Sequence, residues 1–183
     1  MIDVQQVLEL LWLESETIIT GIEGKPYKIV FSRPQDFFDV VMFEEDQQVG
    51  FITLKYEGDG VYSIVNETKK NIHPGLINTP GHGIEVKKQY RKRGVGKALL
   101  SIGIGLVQRD WRKNKKEGRF TVVASDVTAS GLGCYRNFGF IVREGMAVTH
   151  CHYMEEEKVP ALCILDRKAS FWKRFKMRLN LGK

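Results

Sequence analysis

The stretch that most constrains this chain is residues 84–100, Ile-Glu-Val-Lys-Lys-Gln-Tyr-Arg-Lys-Arg-Gly-Val-Gly-Lys-Ala-Leu-Leu. It reads as a strand that ends, turns through a basic segment carrying Gly94 and Gly96, and enters a long apolar helix predicted over residues 94–114. Strands with two interposed helices and early hairpins along the rest of the chain suggest an α+β or mixed α/β sheet. Glycines let backbone approach a ligand closely and take conformations that other residues avoid. The first amides of the helix have no partners inside it, and its dipole adds positive potential there. With Arg91, Arg93 and Lys97 alongside, the segment is a candidate cradle for phosphate or pyrophosphate. It is not a Walker loop, because Gly96-Lys97 is followed by Ala98 rather than Ser or Thr. It is not the dinucleotide fingerprint either, because Leu99 stands where a third glycine is required.

The remaining elements give a mixed sheet. Apolar residues at helical spacing (Val4, Val7, Leu8, Leu11) predict a helix over residues 3–15, capped by Asp3. Strands are predicted at residues 28–32, 38–43 and 48–56, the last joined to 61–67 through the turn Gly58-Asp59-Gly60. Further strands are expected at 83–88, 119–125, 140–143, 145–154 and 160–166, with short helices at 131–138 and 170–179. Residues 68–82, which hold Pro74 and Pro80, read as the longest loop. The chain of 183 residues is long enough to bury a core of its own. We expect one α/β (α+β) domain over residues 1–166 and a basic amphipathic appendage over 167–183.

Here the sequence resembles a known family. The run Arg91-Lys92-Arg93-Gly94-Val95-Gly96, with Tyr90 before it and Ala98-Leu99-Leu100 after it, is similar to the acetyl-CoA pyrophosphate loop of the GNAT acyltransferases. Downstream, residues 121–125 resemble that family's fifth strand. Tyr135-Arg136-Asn137-Phe138-Gly139-Phe140 resembles its Tyr-x-x-x-Gly-Phe segment, 39 residues after Gly96. The resemblance covers residues 48–145. It implies a twisted, mostly antiparallel sheet flanked by helices, and N-acetyl transfer from acetyl-CoA to a primary amine. The amides of Arg93, Gly94, Val95, Gly96 and Lys97 would hold the pyrophosphate, with Arg91 and Lys92 in the same loop. The backbone of Ile84 and Val86 would pair with the pantetheine arm, between strands that splay apart. The Val86 amide would polarise the thioester carbonyl. Tyr135 would protonate the departing thiolate, and Glu85, or secondarily Asp126, would deprotonate the amine. No metal is required.

Some residues depart from the family pattern. Lys88 stands where proline is common, and Thr128 and Gly131 stand where Asn and Ala often precede the tyrosine. The family usually opens with a strand and two helices that shape the acceptor site. This chain reads as one helix followed by strands, so the acceptor does not carry over.

Charge refines the picture. The net +6 is the sum of −7 over residues 1–84, +9 over 85–119, −3 over 120–166 and +7 over 167–183. The +9 stretch contains the glycine loop, so a small anionic co-substrate explains much of the basic excess. In the tail, Phe171, Trp172, Phe175 and Leu179 share roughly one third of a helical circumference. The expected role is docking on the domain or on a second copy, ahead of contact with RNA or with an anionic membrane surface. Three cysteines, Cys134, Cys151 and Cys163, are too few for a disulfide framework and suit a reducing cytoplasm. No apolar run approaches the roughly 20 residues needed to span a bilayer. Thr149-His150-Cys151-His152 lacks an evident fourth ligand, so metal is not expected. Glu155-Glu156-Glu157 is a solvated acidic loop that could attract a cationic acceptor. Two other functions stay open on sequence: a non-catalytic acyl-CoA-binding module, and an acetyltransferase directed to RNA or the ribosome by its tail.

Overall fold

The computed structural model describes residues 3–21, 23–64, 83–114, 120–124, 127, 129–144 and 149–154. Asp3 caps the first helix, α1 (Val4–Glu14), by accepting a hydrogen bond from the Gln5 amide at 2.9 Å. The helix stops at Ser15, whose φ of 63° is left-handed and whose amide bonds back to Leu11. The chain then forms β1 (Glu16–Thr20), β2 (Pro26–Ser32), β3 (Phe37–Glu44), β4 (Gln47–Gly58) and β5 (Val61–Ile64) as an antiparallel meander. After it come β6 (Ile84–Val86), a turn of 3-10 helix (Lys88–Tyr90), α2 (Val95–Lys113), β7 (Thr121–Ala124), α3 (Ala129–Phe138), β8 (Ile141–Glu144) and β9 (Thr149–Met154).

Among the described residues the sheet has nine strands, in the order β1-β2-β3-β4-β5-β7-β9-β8, with β6 also on β4. Among the described strands only β5 and β7 pair in parallel. This is the mixed, mostly antiparallel architecture expected from the sequence. Four local expectations change. The first strand, β1, is a short edge strand whose Ile18 is exposed, so its period-two apolar signal is weak. The strand predicted at 83–88 ends at Val86: the Lys87 amide still makes a ladder bond to the Val49 carbonyl, and the chain then coils into the 3-10 turn from Lys88. The helix expected from 131 begins at Ala129. The strand expected across 145–154 is β9, from Thr149. The loop 68–82, the strand 160–166, the acidic run 155–157, Asp126 and the tail 167–183 lie outside the described residues.

α1 and α2 cover one face of the sheet. Ile52 and Leu54 of β4 reach α2 at Gly103, where an added Cβ would come within 2.7 Å of Leu54. Leu8 of α1 fills the space over Gly105, at 2.5 Å from a Cβ there. Small residues in α2 thus let a helix and a sheet close on it at once. At its C-terminal end, Asp110 is buried and pairs with Arg33 at 2.7 Å, and Arg33 lies 4.9 Å over the Phe38 ring. Tyr62 forms an aromatic cluster with Phe38, Tyr56 and Phe120, ring centroids 5.0–6.1 Å apart. No described helix is long and apolar enough to cross a membrane.

Candidate active site

The site is built around one interrupted strand. β5 and β6 lie end to end along the same edge of β4: Ile64 faces Leu54, and Ile84 faces Ile52. Between them the Thr53 amide donates to the Gly83 carbonyl at 2.8 Å. The β5 half also pairs with β7, whereas β6 has no pairing with β7 among the described residues. The two halves of the sheet therefore part beside β6.

The hydrogen-bond phase decides which groups of β6 face that opening. Bonds to β4 fall at Gly83 and at Lys87, two members of one alternating set with Glu85. The amides and carbonyls of Ile84 and Val86 consequently point away from β4. Consistent with this, the Val86 carbonyl accepts a bond from Arg91 Nε at 3.0 Å. Close pairing of β6 requires Gly50, since a Cβ there would meet the Glu85 carbonyl oxygen at 2.5 Å and the Leu99 side chain at 3.1 Å.

α2 begins beside this edge. Its N-cap, Gly94, has φ 89°, in the left-handed region, and supplies no side chain to cap the helix. The first turn, Val95, Gly96 and Lys97, follows it, and helical bonding starts with the Ala98 amide on Gly94. A Cβ on Gly96 would sit 3.6 Å from Val86 Cγ2 and 3.2 Å from Cys134 Sγ. The glycine loop, β6 and α3 thus converge on one point.

The charged side chains of the loop divide. Lys97, Lys92 and Arg91 are exposed. Arg93 is not: its guanidinium turns inward, donating to Tyr27 Oη at 2.5 Å and Glu44 Oε1 at 3.1 Å, and lies 4.8 Å over the Tyr90 ring. Its expected contribution of surface positive potential is therefore corrected, while its backbone stays in the loop. Tyr90 Oη donates to the other Glu44 oxygen at 2.9 Å. Burial alone would raise the Glu44 carboxyl, but the bonds from Tyr90 and Arg93, with the charges of Arg93 and Lys25, hold it below the usual range. Tyr27 and Glu44 went unnoticed in the sequence. The one available signal was an acid, Glu44, closing a mostly apolar strand.

Tyr135 is buried in α3 and packs edge-on against Phe140 at 5.0 Å. Its neighbour Cys134 is a packing residue: burial pushes its thiol up to about 11, against a small opposing effect of Lys97. Glu85 is half-buried. Because Val86 faces Gly96, strand alternation puts Glu85 on the opposite face of the sheet, away from α2 and Cys134. Among the described residues no group of three or more His, Cys, Asp or Glu side chains is placed to hold a metal.

Comparison with known proteins bears on this geometry. The model of the Acetyltransferase (GNAT) family matches residues 4–140. No curated protein matches the sequence. A cAMP-binding acyltransferase from Mycobacterium smegmatis aligns in structure at TM-score 0.51 and 11% identity, over 98% of this chain and 58% of its own. A point mutant of it aligns at TM-score 0.51 and 12% identity, over 97% and 58%. This chain therefore spans less than two thirds of the length of those proteins. A Bacillus anthracis str. Ames protein designated a streptothricin acetyltransferase, solved in complex with acetyl coenzyme A, aligns at TM-score 0.41 and 14% identity, over 79% of this chain and 88% of its own.

Proposed function

The chain belongs to the GNAT acetyltransferase family, and from that premise we propose that it moves an acetyl group from acetyl-CoA to a primary amine by direct attack in a ternary complex. One observation carries the reading: the edge of β6 turned away from β4, which pairs with no strand among the described residues, lies beside the first turn of α2, which no side chain caps. A pantetheine arm has amides that can pair with the outward groups of Ile84 and Val86 as a strand would. The diphosphate beyond it then meets the amides of residues 93–97, with Arg91, Lys92 and Lys97 adding positive charge.

The chemistry follows from that placement. The Val86 amide donates to the thioester oxygen as negative charge develops on it. The amine nitrogen attacks the carbonyl carbon and the C–S bond breaks. The departing thiolate takes a proton from Tyr135 Oη, and the amine loses its proton to Glu85, directly or through water. The odd cysteine count fits action in the cytoplasm, and residues 1–166 are proposed to form the enzyme body.

The test is thiol release from acetyl-CoA against a panel of amines, peptides and aminoacyl-tRNA. Tyr135→Phe should lower kcat about a hundredfold while acetyl-CoA affinity holds. A variant turning over at the wild-type rate removes the acid from Tyr135. Binding without turnover on any acceptor would favour a non-catalytic acyl-CoA module.

A further inference from the structure

We propose that the side chains of Arg93, Glu44 and Tyr27 are positioning groups that hold the diphosphate cradle in shape, and that none of these three side chains touches the ligand. The proposal rests on the acetyl-CoA reading of the site. Arg93 sits between two left-handed residues, Lys92 at φ 65° and Gly94 at φ 89°. Lys92 pays a steric penalty in that conformation, as any residue with a Cβ does. Something must therefore hold the loop there. The Arg93 side chain, only 9% exposed, is anchored to β2 through Tyr27 and to β3 through Glu44. Tyr90, at the end of the 3-10 turn, closes the ring by donating to the same carboxylate. Lys25 lies on its outer side, 3.5 Å from Glu44 Oε1 and half-exposed.

This arrangement joins the loop on both sides of its turn to two strands of the sheet. It stands immediately before Gly94, which brings no capping side chain of its own. The direction of the first α2 amides is therefore set by the anchored residue that precedes them. A preformed cradle spares the ligand the cost of ordering the loop. The acetyl end of the ligand meets β6 and Tyr135, not this network. Loosening the anchor should then weaken recognition of the diphosphate and leave the chemical step alone.

Acetyl-CoA and S-acetyl-pantetheine, which lacks the diphosphate, separate the two effects in the full-length protein. Glu44→Gln weakens a hydrogen bond to a charged partner and should raise KM and Kd for acetyl-CoA about tenfold. Its kcat, and its kcat/KM for S-acetyl-pantetheine, should stay at the wild-type values. Arg93→Met should act in the same direction and Arg93→Lys should recover part of the loss. Tyr27→Phe, which removes one hydroxyl, is the mildest variant and keeps the test alive if the others fold poorly. Equal losses on both substrates, or no loss on either, overturn the proposal. Wild-type protein that binds neither substrate overturns the acetyl-CoA reading itself, and this proposal with it.

Discussion

Glu44 and Cys134 show how the surroundings of single side chains become measurable. The Glu44 carboxyl is held below its ordinary value in the fold, because the bonds and charges of Tyr90, Arg93 and Lys25 outweigh its burial. A carboxyl lowered by folding contributes stability that is fully present above the unfolded value and is lost as pH falls through the folded one. The melting temperature should therefore fall on acidification from the ordinary glutamate range downward, and Glu44→Gln should flatten that acid limb. A limb of unchanged slope would mean that the network adds no pH-linked stability. Cys134 is the reverse case, a thiol raised from 9.0 to about 11 by burial. Its alkylation near neutral pH should run about a hundredfold slower than that of a free thiol. Peptide mapping of the modified protein measures this. Rapid labelling at Cys134 would contradict its place as a packing residue. The glycine turn was legible in the sequence, because a strand end, a turn and a helix start follow from local spacing. The inward turn of Arg93 was not, since it depends on Tyr27 and Glu44, 66 and 49 positions away in sequence.

Among the elements, β6 is the most demanding. It is three residues long, and its seat on β4 depends on the absence of a side chain at Gly50. Alanine there would press against the Glu85 carbonyl and Leu99, and overpacking of this kind costs about 1–3 kcal/mol. Gly50→Ala should lower the denaturation midpoint and also weaken acetyl-CoA binding, since it displaces the edge that is proposed to pair with pantetheine. Loss of stability with unaltered binding would separate β6 from the ligand. The helices α1 and α2 and the strands β2 to β4 were readable from periodicity, because each buries one stripe or one face. Two features were not. The edge strand β1 leaves Ile18 in water, so burial does not mark it. The joining of β5 and β6 into one interrupted strand is set by registers on β4 that no local pattern records.

At the scale of the molecule, charge and topology answer different questions. The +9 stretch places its glycine loop at the parting of the sheet, where exposed Arg91, Lys92 and Lys97 flank the first turn of α2. The opening order is one helix and then a meander, so among the described residues β6 is seated on β4 of that meander. That opening departs from the strand and two helices usual in the family, which is why the acceptor was not legible in the sequence, while the co-substrate loop was. In the proposed complex acetyl-CoA lies along β6 with its diphosphate on the start of α2. Titrating the isotopically labelled protein with acetyl-CoA and following backbone amide shifts tests it most directly. The largest shifts are expected at Ile84, Val86, Val95, Gly96 and Lys97, saturating together. Saturable shifts centred elsewhere, or none at millimolar acetyl-CoA, would contradict it.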